Sequence, residues 1–318
     1  MKRTTSEVSF WHPCYAGIWL GFALLRLLAL LPYRPLMAIG RGFGRLLFHL
    51  GKRRRQIVQV NLQLCFPEYS AEQRAQLAHA YAASVGMGLM ECLIAWWWSE
   101  RRLRPWCEVV GAEHLSAALK QGRGVILFTP HMVSIELCGR LLLPHAPVMP
   151  VYRRHEHPLI EHLIKRLRET FVEATLPRDQ PRQALRMLAR NKAVWLSPDQ
   201  DYAGKYHLFT SFFGMPAATN PTVSRFARLS GAPVLPCVTL RQPTGGYRLI
   251  IEPALADFPH QPEQDSQRLQ DLIECWVRTA PEQYHWMHRR FKTQPGQMPS
   301  PYAVGNKQPD CHCDKSFD

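Results

Sequence analysis

The sequence is short of acidic residues, of long apolar runs, of repeats and of paired-cysteine spacings, and each shortage closes off a class of protein. Against 39 Lys+Arg there are 25 Asp+Glu, a formal charge of +14 with neutral histidines. An acidic solvating chain is excluded, and the partners to expect are polyanions: nucleic acid, an anionic lipid surface, or an acidic protein or substrate. The nine cysteines contain no C-x-x-C pair, which in a chain of 318 residues reads as reduced, cytosol-facing thiols rather than a disulfide scaffold. No G-x-S-x-G elbow offers a serine nucleophile. With 20% charged residues against 46% apolar ones the chain is too hydrophobic to be disordered, and its length allows one large domain or two modest ones.

One apolar run does stand out. Residues 14–32 read CYAGIWLGFALLRLLALLP, nineteen residues whose single charge is Arg26, with Trp19 and Tyr33 available as interface aromatics. About 20 such residues cross a bilayer. Lys2 and Arg3 precede the run as in a signal peptide, but no small-residue cleavage site follows and Arg26 interrupts the apolar stretch, so the expectation is a retained anchor. A buried core helix is the blander alternative, because Arg26 is costly at a bilayer centre unless it snorkels or pairs. Beyond the run, Arg34, Arg41, Arg45 and Lys52 to Arg55 outnumber the preceding positives, which places that flank in the cytoplasm. Leu36, Met37, Ile39, Phe43, Leu46, Leu47 and Leu50 recur at helical spacing and suggest a second, amphipathic helix along an anionic membrane surface.

Ser70 and Gln73 form a capping box for a helix over 71–98, either continuous or broken at Gly86 and Gly88, which closes on Trp96, Trp97 and Trp98 as core residues. After Trp106 short β-rich runs (125–128, 148–152, 193–196, 234–240, 247–252) alternate with helical patterns (158–173, 181–191, 221–230, 264–279). This alternation predicts an α/β fold with a mixed, largely parallel sheet flanked by helices, and sites at the carboxyl ends of its strands. The expected organisation is an anchor and basic segment over 1–55, a helical segment over 56–105, the α/β domain over 106–302 and a polar tail over 303–318. Cys311, His312 and Cys313 in that tail are weak grounds for a metal site, and no metal or cofactor is expected.

The run VILF leads into Thr129-Pro130-His131, with Ser134 as an N-cap and Glu136 in the first helical turn after it. A carboxylate five residues on can fold back onto the His131 Nδ1–H and leave Nε2 free as a general base. Taken alone, a histidine with a nearby glutamate is more often a satisfied surface pair. However, His131-X4-Glu136 after a hydrophobic strand resembles the HX4D/E motif of the glycerolipid acyltransferase superfamily. RRRQIVQVNLQLCFPEYS (53–70), PVYRRHEHPLIEHLI (150–164), VWLSPDQDYAGK (194–205), SFFGMPAATNPTVSRFARLSGAPVLP (211–236) and PEQYHWMHRRFKTQP (281–295) further resemble one branch, the lipid A late acyltransferases (lauroyl/myristoyl acyltransferase, or HtrB, family).

The resemblance covers nearly the whole chain to about residue 302. It implies a glycerolipid acyltransferase-like fold and an enzyme anchored in the inner membrane, facing the cytoplasm. Such an enzyme moves a fatty acyl chain from acyl carrier protein to a hydroxyl on a 3-hydroxyacyl chain of a phosphorylated lipid A precursor. His131 is then the general base and Glu136 its orienting partner. Arg153 is expected to bind acceptor phosphate, since guanidinium forks suit phosphate oxygens. Asp199, chosen over Asp201, is expected to position the acceptor or the arginine. The pattern's arginine two residues before Asp179 is replaced here by Pro177, so Arg178 is the candidate to take over its role. The rival readings are a lysophosphatidate-type acyltransferase and a non-catalytic acyl-lipid binding protein. A nucleic-acid binder is disfavoured because no helix-turn-helix, RNP or zinc pattern accompanies the charge.

Overall fold

The computed structural model describes residues 10–296 and 298–303. Lys2, Arg3 and the Cys311-His312-Cys313 cluster lie outside the described residues. The apolar run does not form one long helix. It makes α1 (Ala16–Leu28), 13 residues long, and then turns through 29–32 into α2 (Tyr33–Leu50). At 1.5 Å per residue α1 spans roughly 20 Å, well short of a hydrocarbon core of about 30 Å. The turn is held by Arg102, whose guanidinium donates to the carbonyls of Ala29 (3.0 Å), Leu30 (2.9 Å) and Leu31, covering acceptors that a helix end leaves orphaned. Arg26 donates to the Trp97 carbonyl at 3.4 Å and lies over the Trp97 ring, so it pairs at the end of the wall built by α4.

α3 (Lys52–Cys65) follows, and then α4 (Ala71–Trp97), which opens on the Ser70–Gln73 capping box and runs unbroken through Gly86 and Gly88. Among the described residues α4 is the one helix long and apolar enough to cross a membrane, and two thirds of its apolar stretch is buried in the fold (67%), so it is a core helix. Its glycines are there for contact. A Cβ on Gly86 would lie 2.0 Å from the Gly40 carbonyl oxygen of α2, and one on Gly44 would lie 2.1 Å from that of Ala82. Small residues let the two backbones approach where any side chain would force them apart. Gly44→Ala is therefore expected to destabilise by about 1–3 kcal/mol or more through overpacking, read as a lower denaturation midpoint. Leu36 and Met37 face into the fold, whereas Ile39, Phe43, Leu46, Leu47 and Leu50 of the same helix stay exposed. Trp98 is buried and bonded to the Ala29 carbonyl, while Trp96 and Trp97 are half-buried.

From α5 (Glu100–Leu103) the chain enters the sheet through β1 (Cys107–Val110), then α6 (Ala112–Leu119), β2 (Val125–Phe128), α7 (Ile135–Leu142), β3 (Val148–Tyr152), α8 (Pro158–Arg168), β4 (Leu176–Pro177), α9 (Pro181–Ala189) and β5 (Ala193–Leu196). A hairpin of β6 (Leu208–Phe212) and β7 (Met215–Thr219) precedes α10 (Thr222–Ser230), β8 (Val234–Arg241), β9 (Tyr247–Ile251) and α11 (Pro262–Thr279). The seven-stranded sheet has the order β1-β9-β8-β2-β5-β3-β4 and is parallel except where β8 meets β9. Two apolar layers cover its faces. One contains Phe128, Met132, Phe212, Trp276 and Trp286, and the other contains Leu36, Ile94, Leu127, Leu137 and Leu249. Fully buried strands such as β2 and β5 read as continuous apolar runs because both faces are covered.

Candidate active site at the strand ends

β2 and β5 are parallel neighbours in a register that pairs Phe128 with Leu196. Three residues beyond that pair, the chain reaches His131 from one strand and Asp199 from the other, so the register brings the two side by side. The His131 backbone N–H donates to Asp199 Oδ2 at 2.8 Å, and its ring Nδ1 bonds Asp199 Oδ1. Asp199 is fully buried, whereas the His131 side chain keeps 28% of its surface. The ring is thus anchored at Nδ1, the arrangement that frees Nε2 for a proton.

The electrostatics follow from this contact. Burial alone would raise the Asp199 carboxyl, but the His131 charge and the hydrogen bonds from its ring and backbone outweigh it and hold Asp199 at about 2. Burial would likewise lower His131, yet the Asp199 carboxylate carries it above its ordinary 6.5.

Glu136 does not orient His131. It lies in the first turn of α7, where its carboxylate accepts from Arg168 Nε at 2.9 and 3.2 Å and from Arg168 Nη2, with Trp96 Nε1 at 3.4 Å. A bidentate guanidinium is the stronger partner for a carboxylate, and Asp199 already occupies Nδ1. Arg168 comes from α8, and burial, which would lower its guanidinium, is outweighed by Glu136, so its pKa is raised. Ser134 precedes α7 but does not cap it, since its hydroxyl donates to the Thr239 carbonyl at 2.8 Å.

Arg153 and Arg178 stand elsewhere on the same edge. Arg153 follows β3 and pairs with Glu156 at 2.9 Å, with 65% of its side chain exposed. Arg178 follows β4, is exposed, and donates its backbone N–H to the Tyr152 carbonyl at 2.9 Å. In the order β2-β5-β3-β4 these ends lie two and three strand spacings from His131, or about 10 and 14 Å at 4.8 Å each. Asp201 accepts from the Thr293 N–H and hydroxyl, each at 3.0 Å, and so ties down the C-terminal segment.

That C-terminal segment packs against the site and carries further titratable residues. Met132 and Tyr284 form an antiparallel bridge, and the His285 N–H donates to the His131 carbonyl at 3.0 Å. Tyr284 is buried, and burial and the Asp199 carboxylate both raise its pKa. His285 is lowered to about 4 by burial and by the His131 charge. His288, also lowered to about 4 chiefly by burial, accepts the Asp201 N–H at Nε2 as a neutral imidazole must. Arg290 is buried beneath them and donates to the Ala218 carbonyl and the Thr219 hydroxyl. In the sequence these groups fall within PEQYHWMHRRFKTQP (281–295), one of the segments that resemble the family, where no spacing assigns them individual roles.

A carboxylate–imidazole pair with one free nitrogen, placed at the carboxyl edge of a largely parallel sheet, is suited to proton abstraction from a hydroxyl. Comparison with known proteins gives the family. Residues 3–293 match the family model described as bacterial lipid A biosynthesis acyltransferase. The chain is 38% identical over 294 residues to the lipid A biosynthesis lauroyltransferase of Escherichia coli (strain K12), covering 92% of this chain and 96% of that one. It is 39% identical over 289 residues to the palmitoleoyltransferase of the same organism, covering 90% and 94%, and 27% identical over 318 residues to its myristoyltransferase, covering 95% and 96%. With the family model matched over most of its length and relatives well above 30% identity, this chain belongs to the bacterial lipid A biosynthesis acyltransferase family.

Proposed function

We propose that the protein transfers a fatty acyl chain from the thioester of acyl carrier protein to a hydroxyl on a 3-hydroxyacyl chain of a lipid A precursor, with His131 as general base. The observation that carries this reading is the His131–Asp199 pair, with Nδ1 held and Nε2 free. His131 Nε2 takes the acceptor hydroxyl's proton as the oxygen attacks the thioester carbonyl carbon. The C–S bond then breaks, and the departing sulfur takes the proton back from Nε2. Asp199 keeps the imidazole in one tautomer and stabilises the imidazolium between the two transfers.

Glu136 acts in this scheme by holding Arg168, whose guanidinium offers further N–H groups to an oxygen anion or a phosphate. Glu136→Ala and Arg168→Ala are each expected to reduce turnover by about 10²-fold through misplaced substrate. Arg168→Lys should not restore it, because an ammonium cannot reproduce the bidentate contact. Equal rates for Arg168→Lys and the wild type would reject this role. Arg153 and Arg178, spread along the same edge, are placed for the phosphates of a large acceptor, and Arg153→Ala should raise the acceptor KM. An unchanged KM removes Arg153 from the site.

The membrane reading places the protein on the cytoplasmic face of the inner membrane, attached through α1 and the exposed apolar side of α2. A helix of 13 residues is better suited to lie in the interface than to span. The +14 charge would draw in both the acidic carrier protein and the phosphorylated glycolipid.

The deciding experiment supplies purified protein with carrier proteins loaded with C10 to C16 chains and a tetra-acylated precursor, and weighs the product. A gain of one acyl group, absent in His131→Ala, is the expected result. Acylation of lysophosphatidate instead would move the protein to glycerolipid chemistry, and no product with either acceptor would leave a binding role.

A further inference from the structure

A second cleft, none of whose lining residues belongs to the strand-end site, opens where α2, α3 and α4 meet. It has room for about 100 Å³ and is lined by Arg45, Phe48, His49, Arg55, Gln59 and His79, together with two alanines. That is many times the roughly 10–15 Å³ needed to hold one water. No carboxylate lines it. Among the described residues neither Arg45 nor Arg55 enters an ion pair. Arg55 Nη1 donates to the His49 carbonyl at 2.8 Å, and Phe48 meets His79 edge-on at 6.4 Å, so two of the basic groups are braced before anything binds. The guanidiniums of Arg45 and Arg55 share a hollow that no carboxylate lines and so repel one another, and an anion with several oxygens would relieve that repulsion while taking hydrogen bonds from them.

The position of the cleft indicates which anion. On α2, Arg41, Arg45 and His49 follow one another at i, i+4, i+8 along one ridge, while the exposed Ile39, Phe43, Leu46 and Leu50 form a stripe on roughly the opposite side. With that stripe in the acyl boundary of a membrane, the basic ridge stands about one helix diameter above it, some 10–12 Å, at the level of the headgroup phosphates. We infer that the cleft is a binding site for the phosphodiester headgroup of an anionic membrane phospholipid. The inference rests on the membrane attachment described under the proposed function.

The test uses the full chain in a non-ionic detergent, titrated with monomeric dihexanoyl phosphatidylglycerol and, separately, with inorganic phosphate, and follows 31P line broadening. The expected result is saturable binding of the short-chain lipid that weakens about tenfold or more in Arg45→Gln/Arg55→Gln. Arg45→Lys/Arg55→Lys should recover part of the loss by keeping the charge without the fork. Inorganic phosphate should bind more weakly than the lipid. Equal affinity of the wild type and the Gln variant for the lipid would overturn the cleft as the site. Inorganic phosphate binding as tightly as the lipid would overturn the phospholipid in favour of a free anion. Flotation of the wild type with neutral phosphatidylcholine vesicles judges the membrane attachment by itself. If flotation fails, that attachment is lost, while the titration with soluble lipid still decides the cleft.

Discussion

His131→Ala is expected to lower kcat by on the order of 10²–10⁴ in protein that still folds, at some cost in stability, because Asp199 loses its ring partner but keeps the hydrogen bond from the backbone N–H of residue 131. Asp199→Asn should lower kcat by a comparable factor, since an amide no longer fixes the imidazole tautomer or balances its charge. The double variant should be little worse than either single one, because the two act as a unit. Their pH dependence separates the roles. In the wild type the Asp199 carboxylate lifts His131 above 6.5, so the neutral base fills only above that raised value and kcat/KM falls as the pH drops through it. In Asp199→Asn the lift is gone and burial remains, so the acid limb should move to lower pH even as the rate falls. Stability runs the other way. His131, raised in the fold, contributes stability that is complete below 6.5 and lost as the pH rises through its folded value. Asp199, held at about 2, contributes above its ordinary 3.8 and loses that contribution as the pH falls towards 2. The pair is therefore most stabilising on the acid side of the range where it works as a base. An acid limb in the same place for the wild type and Asp199→Asn would show that Asp199 does not set the His131 pKa.

The part of this site that could be read from the sequence is the part fixed by local pattern. The strands at 125–128, 148–152 and 193–196 are apolar runs whose burial on both faces leaves a plain signal, and His131 and Asp199 follow two of them directly. What the pattern does not carry is strand order. Only the β2–β5 pairing makes positions three residues beyond Phe128 and Leu196 coincide, and without it Glu136, close in sequence, looks like the natural partner for His131. Glu136 instead meets Arg168, 32 residues away on another helix, a contact for which no spacing gives warning. The hairpin β6–β7 went unread for a different reason. Its turn puts Phe213 at φ 52° beside Gly214 at φ 75°, where an asparagine before the glycine would have been the recognisable sign. The glycines of α4 were open to being read as a break because glycine is permissive. The structure uses Gly86 for its lack of a side chain and keeps the helix whole.

Arg241→Ala should destabilise the fold by about 3–5 kcal/mol, because it strands a buried carboxylate. Glu91 projects from α4 with its side chain fully buried, and Arg241, at the end of β8, donates to Glu91 Oε1 at 2.6 Å, to the Ser84 hydroxyl at 2.9 Å and to the Ser84 carbonyl at 3.3 Å. Burial alone would lower the Arg241 pKa, but the Glu91 charge overrides it and drives it upward. Among the described residues Glu91 Oε2 has no hydrogen-bond partner, so the carboxylate depends on this one guanidinium. Replacing both residues by leucine removes the unpaired charge together with its partner and should recover much of the loss, since a buried ion pair often does no better than an apolar pair of similar volume. α4 also packs Gly88 against Val133 and carries Trp96 to Glu136, so loosening it displaces the segment that follows His131. The single variant should accordingly lose turnover at temperatures where it is still folded. Urea denaturation of Arg241→Ala, Glu91→Leu and the double leucine variant, scored as a double-mutant cycle, measures the coupling directly. A loss below about 1 kcal/mol in Arg241→Ala would mean that water reaches Glu91 and that the pair is no more than a surface contact.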